Sequence, residues 1–186
     1  MIKTNQGIKW LTIPVNHEGL NQLIKDTKIS DKRWNKKHWK TLKQSYAKAN
    51  CFSEYKDFFE ELYLNSNDKY LCDVNYRFII EINKLLGINT KINWSSNFKL
   101  LEGKTERLIG LCLDCNADVY LSGPSAKEYF DKNLAKEKKI KVEWVEYSGY
   151  KEYEQMHFPF NHNVSILDLI FNKGKDAIKY MKSFKK

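Results

Sequence analysis

The groups in this chain best suited to chemistry stand where apolar runs end. Ser95-Ser96, Ser122-Gly123 and Ser148-Gly149 each close such a run. Small residues at these tips let backbone N–H groups approach a ligand, and Ser122-Gly123-Pro124-Ser125 opens a helix whose positive end favours an anion. Gly103-Lys104-Thr105-Glu106-Arg107 opens a second helix and places two cations, Lys104 and Arg107, in a first turn where the dipole favours acids. A phosphate is the partner expected for those cations, the alternative being solvent exposure beside Glu106. The segment is not a Walker P-loop, because the four-residue spacer and upstream Gly are absent.

Acid–base groups are few. Imidazole titrates near neutrality, so His38, or its neighbour Lys37, is a candidate catalytic residue for acid–base chemistry if their helix faces the ligand edge. On a stripe shared with Trp34 and Leu42, His38 also reads as a packed side chain. Asp168 lies inside the apolar run Ile166-Leu167-Asp168-Leu169-Ile170-Phe171, so it is either an internal anchor or a catalytic site residue. Tyr147 and Tyr153 fall near the expected ligand edge, where they would stack on a sugar or base. His157 and His162 have H-x4-H spacing, but Pro159 between them argues against the helix a metal pair needs, and no metal site is expected. Cys112 and Cys115 fall late in a helix without a second pair, so the four cysteines are expected to be reduced core thiols.

These groups need elements to position them. At 186 residues and 42% hydrophobic content the chain can bury a core. Alternation over 8–15 predicts a strand stopped by Pro14. Four-residue spacing of Trp34, His38, Leu42 and Tyr46 predicts a helix over 34–49. Ser53 opens another helix, Asn67 or Asp68 a third, and Gly87 ends that third helix in a left-handed cap. Beyond Gly87 strands are expected at 90–94, 118–121 and 140–147, with helices at 104–115 and 126–138 between them. Helices at 164–172 and 176–184 complete the chain. The fold class is therefore α/β: a strand plus helical half over 1–87, then an α/β half over 88–186 built on a parallel, Rossmann-like β-α-β-α-β sheet. In such sheets ligands bind outside the carboxyl ends of the strands, where the three Ser-containing tips would converge.

Charge narrows the partners. The formal net charge is +9, and residues 25–48 hold nine Lys or Arg against Asp26 and Asp31. Such a surface suits an anionic small molecule or a solvated basic face. Lys greatly outnumbers Arg and no RNA-recognition or zinc-finger spacing occurs, so nucleic acid is not the first expected partner, and a non-catalytic nucleic-acid-binding or partner-binding protein is the alternative reading. No run approaches the roughly 18 apolar residues of a membrane span, and no secretory leader is visible at Met1-Ile2-Lys3-Thr4, so a cytoplasmic protein is expected. The residues do not identify a cofactor.

Several segments together resemble the WbqC-like protein family of bacteria. They are Ile2-Lys3-Thr4 with Trp10-Leu11-Thr12-Ile13-Pro14-Val15, Trp34-x-x-Lys37-His38-Trp39, Tyr46-x-Lys48-Ala49, Leu86-Gly87-Ile88 and Ser95-Ser96. They continue through Gly103-Lys104-Thr105-Glu106-Arg107-Leu108, Tyr120-Leu121-Ser122-Gly123-Pro124, Tyr129 and Asp131, Tyr153 with Gln155, and Ser165 to Asn172 with Gly174. Their order and spacing carry the resemblance. Cys115 and Asn116 depart from the Leu-Gly usual in the family before Ala117.

The resemblance implies a protein similar to those encoded in O-antigen and surface-polysaccharide gene clusters. It thus implies a transferase or sugar-modifying enzyme acting on a phosphorylated, nucleotide-sugar-like substrate. The family pattern begins about 45 residues earlier, with an order similar to the start of nucleotidyltransferase-like α/β domains. The chain is accordingly expected to be a C-terminal portion, a truncated reading frame or a fragment, weakly active or inactive alone. An exposed sheet edge would then offer a route to homo-oligomers.

Overall fold

Heptad-like spacing of large apolar side chains decides the first helices. Trp34, His38, Trp39, Leu42 and Tyr46 share the buried stripe of α1 (Trp34–Tyr46). Asp31 tightens its approach by accepting the Arg33 N–H at 2.8 Å. Phe52, Phe59, Leu62 and Tyr63 form the buried stripe of α2 (Phe52–Leu64). The third helix, α3 (Leu71–Leu85), begins later than Asn67 or Asp68 would place it. Residues 69 and 70 are held extended instead: Ile29 N–H donates to the Lys69 carbonyl, and Lys28 bridges to Tyr70. Asp68 then meets Arg77 at 2.8 Å. At the far end Gly87 has φ +70° and Ile88 N–H donates to Asn83 O at 2.8 Å, the six-to-one bond of a left-handed cap.

In the computed structural model, which describes residues 1–182, the chain forms two compact units. The first comprises Met1–Asn89 and the chain from Tyr150 onward, and the second is Thr90–Gly149. The return of the C-terminal segment to the first unit differs from the sequence grouping of 88–186.

The first unit opens on a hairpin, β1 (Ile2–Thr4) and β2 (Gly7–Lys9), paired antiparallel with Ile2 opposite Lys9. The expected strand over 8–15 is thus cut short. Its remainder keeps only a bridge from Val15 to Ile29, because Pro14 has no N–H to donate to a ladder. Leu11 and Ile13 still pack on the core. That core is aromatic: the Phe171 ring centre lies 5.2 Å from Tyr46, 5.0 Å from Phe52 and 5.1 Å from Phe59. Ser165 caps the helix that carries Phe171, α6 (Ile166–Lys173), by accepting the Leu167 N–H. A 3-10 segment, Gly174–Tyr180, follows where an α-helix is expected, and residues 183 and 184 of that expectation lie outside the described residues.

The second unit contains one β-α-β crossover. Helix α4 (Lys104–Asp114) leads into β3 (Val119–Ser122), which pairs parallel with β4 (Lys141–Trp144) in the register Val119 to Lys141 and Ser122 to Trp144. The helix expected over 126–138 divides into a 3-10 turn, Pro124–Glu128, and α5 (Lys132–Glu137). Asp131 causes the break, since its carboxylate accepts the N–H groups of Asn133 and Leu134 at 2.8 and 3.1 Å. Ile109, Cys112, Phe130, Ala135 and Ile140 are buried between these elements, with Tyr120, Val142 and Trp144 packed against them.

The sheet expectation needs correction here. Residues 90–94 form no strand, and Ser95–Asn97 is a 3-10 turn. The segment has one aliphatic residue, Ile92, to bury on a sheet face, too little to hold a third strand in place. The β-α-β-α-β arrangement is therefore reduced, among the described residues, to a mixed α/β fold with two-stranded sheets, one antiparallel and one parallel. No helix among the described residues is long and apolar enough to cross a membrane.

Candidate functional site

The candidate residues fall into both units. Ser95, Ser96, Lys104, Arg107, Ser122, Gly123 and Tyr147 belong to the second, whereas Lys37, His38, Tyr153 and Asp168 belong to the first.

In the second unit β3 ends at Ser122-Gly123, opposite Trp144 at the end of β4. Tyr120 donates its hydroxyl hydrogen to Ser122 Oγ at 3.2 Å. Tyr147, 64% exposed, folds over the same tip: a side chain added at Gly123 would stand 3.4 Å from the Tyr147 hydroxyl. The first turn of α4 is tied to the crossover that leaves this tip, because Thr105 Oγ1 accepts the Asp131 N–H at 3.0 Å. Lys104 Nζ lies 5.1 Å from the centre of the Tyr129 ring. Arg107 Nε donates to the Leu101 carbonyl at 3.3 Å, so part of its guanidinium serves the loop before its own helix. Ser95 and Ser96 are exposed in their turn, and their hydroxyls make no hydrogen bond among the described residues.

A cluster not singled out by motif adjoins this edge. Lys127 and Lys132 hold their ammonium groups 5.7 and 6.0 Å from the centre of the Trp144 ring. Lys132, Lys136, Lys139, Lys141 and Trp144 line a groove of about 390 Å³. Lys141 is engaged by Glu143 at 2.6 Å. Lys132, Lys136 and Lys139 have no acidic partner among the described residues. The signal available in the sequence was density, six Lys between 127 and 141, rather than spacing.

In the first unit Asp168 is 1% exposed and fully engaged. Tyr46 and Tyr153 donate their hydroxyl hydrogens to its two oxygens at 2.8 and 2.7 Å, and Gln155 Nε2 donates at 3.0 Å. Asn172 Nδ2 donates to the Asp168 backbone carbonyl at 2.7 Å. The Tyr46 oxygen in turn accepts the Lys3 N–H at 3.0 Å. Lys3, itself buried, gives its ammonium to Gln155 Oε1 at 2.8 Å and to the Pro159 carbonyl. Burial, with the Asp168 charge behind it, raises the Tyr46 hydroxyl far above its ordinary pKa. Tyr153 is raised chiefly by burial as well. These contacts are the ones its reading as an internal anchor requires. Tyr153 stands with it in the first unit.

Lys37 lies on the exposed side of α1 and meets Asp31 at 2.6 Å. That hydrogen bond, aided by the Arg33 N–H, lowers the Asp31 carboxyl to about 2. His38 faces the other way, 8% exposed, with Nε2 3.0 Å from the Thr12 carbonyl. Burial lowers its pKa from 6.5, partly opposed by that hydrogen bond. The two neighbours thus turn to different sides of α1.

Comparison with known proteins agrees with the residue pattern. The family model described as "WbqC-like protein family" matches residues 1–180. The protein named "Uncharacterized protein Rv1507c" of Mycobacterium tuberculosis is 41% identical over 182 residues, covering 97% of this chain and 79% of the relative. No solved structure matches at a significant level. With the match running through nearly the whole chain, the protein belongs to the WbqC-like family.

Proposed function

We propose that the protein binds a phosphorylated, nucleotide-sugar-like molecule at the carboxyl end of the β3–β4 pair and serves surface-polysaccharide synthesis as a transferase or sugar-modifying enzyme. The observation that carries this reading is the Trp144 ring at the strand end, opposite Ser122, with Lys127 and Lys132 standing near it. An aromatic face suits a sugar or base, and ammonium groups beside it suit the phosphate. Gly123 leaves backbone accessible at the same tip, and Lys104 adds a cation on the tied first turn of α4. Membership of the WbqC-like family, whose resemblance implies a polysaccharide context, supports this part of the reading.

The test is a thermal-unfolding series with uridine- and guanosine-diphosphate sugars. At a concentration a hundredfold above Kd the ligand should add about 2.7 kcal/mol of stability. Lys104→Ala should abolish the shift, and a Lys127→Ala/Lys132→Ala double variant should reduce it at least about tenfold in affinity, since charge-assisted phosphate contacts are each worth 1.5 kcal/mol or so. An unchanged unfolding midpoint with every nucleotide and sugar phosphate would remove the idea.

A further inference from the structure

A cleft of about 210 Å³ in the first unit contains His38. Ile2, Leu11, Trp34, Tyr63, Val74 and Phe78 give it an apolar and aromatic wall, and none of its lining side chains is charged. Asn75, Ser165 and the Tyr63 hydroxyl are its other polar groups. Met1 lines it too, and apart from the chain's amino terminus the lining offers no cation, so the ligand class differs from that of the lysine-rich groove.

The imidazole has a fixed orientation. Its ring packs edge-on against Trp34 at 5.2 Å and Tyr63 at 6.3 Å. Nε2 faces the Thr12 carbonyl, which can only accept, so Nε2 carries the hydrogen and Nδ1 is left with a lone pair. Nδ1 makes no hydrogen bond within the protein. No fully buried side-chain nitrogen or oxygen among the described residues lacks a partner, so Nδ1 must keep access to open space. The cleft is open space that His38 lines. Burial also disfavours the imidazolium, which keeps that lone pair available at neutral pH.

We propose that this cleft is a binding site for a small uncharged group, apolar in body and bearing one O–H or N–H that His38 Nδ1 accepts. Cavities of about 150 Å³ lined by apolar side chains hold benzene, so this one has room for a substituted ring or a short acyl amide. The inference uses none of the residues invoked for phosphate binding and stands or falls separately.

The experiment titrates the full chain with 4-methylphenol and with toluene, which share a body but differ in the donor, using ligand-observed NMR. The phenol should bind, and toluene should bind at least about fivefold more weakly, the ratio supplied by one net hydrogen bond of about 1 kcal/mol. Leu11→Phe, at the partly exposed rim, should exclude both, while His38→Phe should erase the difference between them. If His38→Phe does not fold, the 15N resonance of His38 Nδ1 in the unaltered protein gives the answer, since it should move on adding the phenol and stay still with toluene. Binding of neither compound, equal binding of both, or an Nδ1 resonance that ignores the phenol would overturn the proposal.

Discussion

Asp168 was legible in the sequence only as a carboxylate in an apolar helix, because spacing says nothing about which distant donors will meet it. Those donors come from positions 46, 153 and 155, and their convergence is a product of the tertiary fold. Removing the carboxylate would leave two tyrosine hydroxyls and an amide with lost partners in a low-dielectric interior. Asp168→Ala should therefore destabilise the protein by about 3 kcal/mol, read from urea unfolding, with nucleotide-sugar affinity unchanged in the folded fraction. A stable variant that loses ligand binding would mean that the aspartate belongs to a substrate site. The same limit applies to His38. Its stripe with Trp34 and Leu42 foretold burial, but the Thr12 carbonyl that fixes the tautomer lies 26 residues away in an irregular segment.

At the scale of elements, periodicity located α1, α2, α4 and α6 to within a few residues, since each has a stripe of large side chains to bury. It failed where local capping or long-range pairing took over. Asp131 splits the helix expected over 126–138, and the extended pairing of residues 28–29 with 69–70 delays α3. Strands were the weakest part of the reading, because a strand needs a neighbour and residues 90–94 have none. Asp131→Ala removes both hydrogen bonds that start α5 and should cost about 1 kcal/mol. It should also weaken nucleotide-sugar binding, since α5 carries Lys132. Circular dichroism melting and titration calorimetry on that variant check both effects, and an unaltered midpoint would show that α5 does not depend on its cap.

For the whole molecule, the direction of two sets of shifts predicts the pH range of greatest stability. His38 is held below its ordinary value of 6.5 by burial. Below pH 6.5 the unfolded chain therefore binds a proton that the folded chain refuses, and stability falls as pH drops towards the folded value. Tyr46, Tyr63 and Tyr153 are raised above 10.0, mainly by burial. Above pH 10 the unfolded chain loses protons that the folded chain keeps, so their contribution is lost as pH rises. Urea midpoints across pH 5 to 11 should be highest between these limits, and His38→Phe should flatten the decline just below pH 6.5. Charge at this scale was read only in part. The basic run over 25–48 stood out, whereas Lys127, Lys132, Lys136, Lys139 and Lys141 gain meaning only when the crossover gathers them beside Trp144.

The central claim is that the end of the parallel strand pair receives a phosphorylated ligand, and backbone and indole NMR shifts during a nucleotide-sugar titration test it most directly. The Trp144 indole and the Gly123 amide should move together along one saturable curve, with the Lys132 amide following. Shifts confined to other residues, or a Trp144 indole that stays fixed while the ligand binds, would contradict the account.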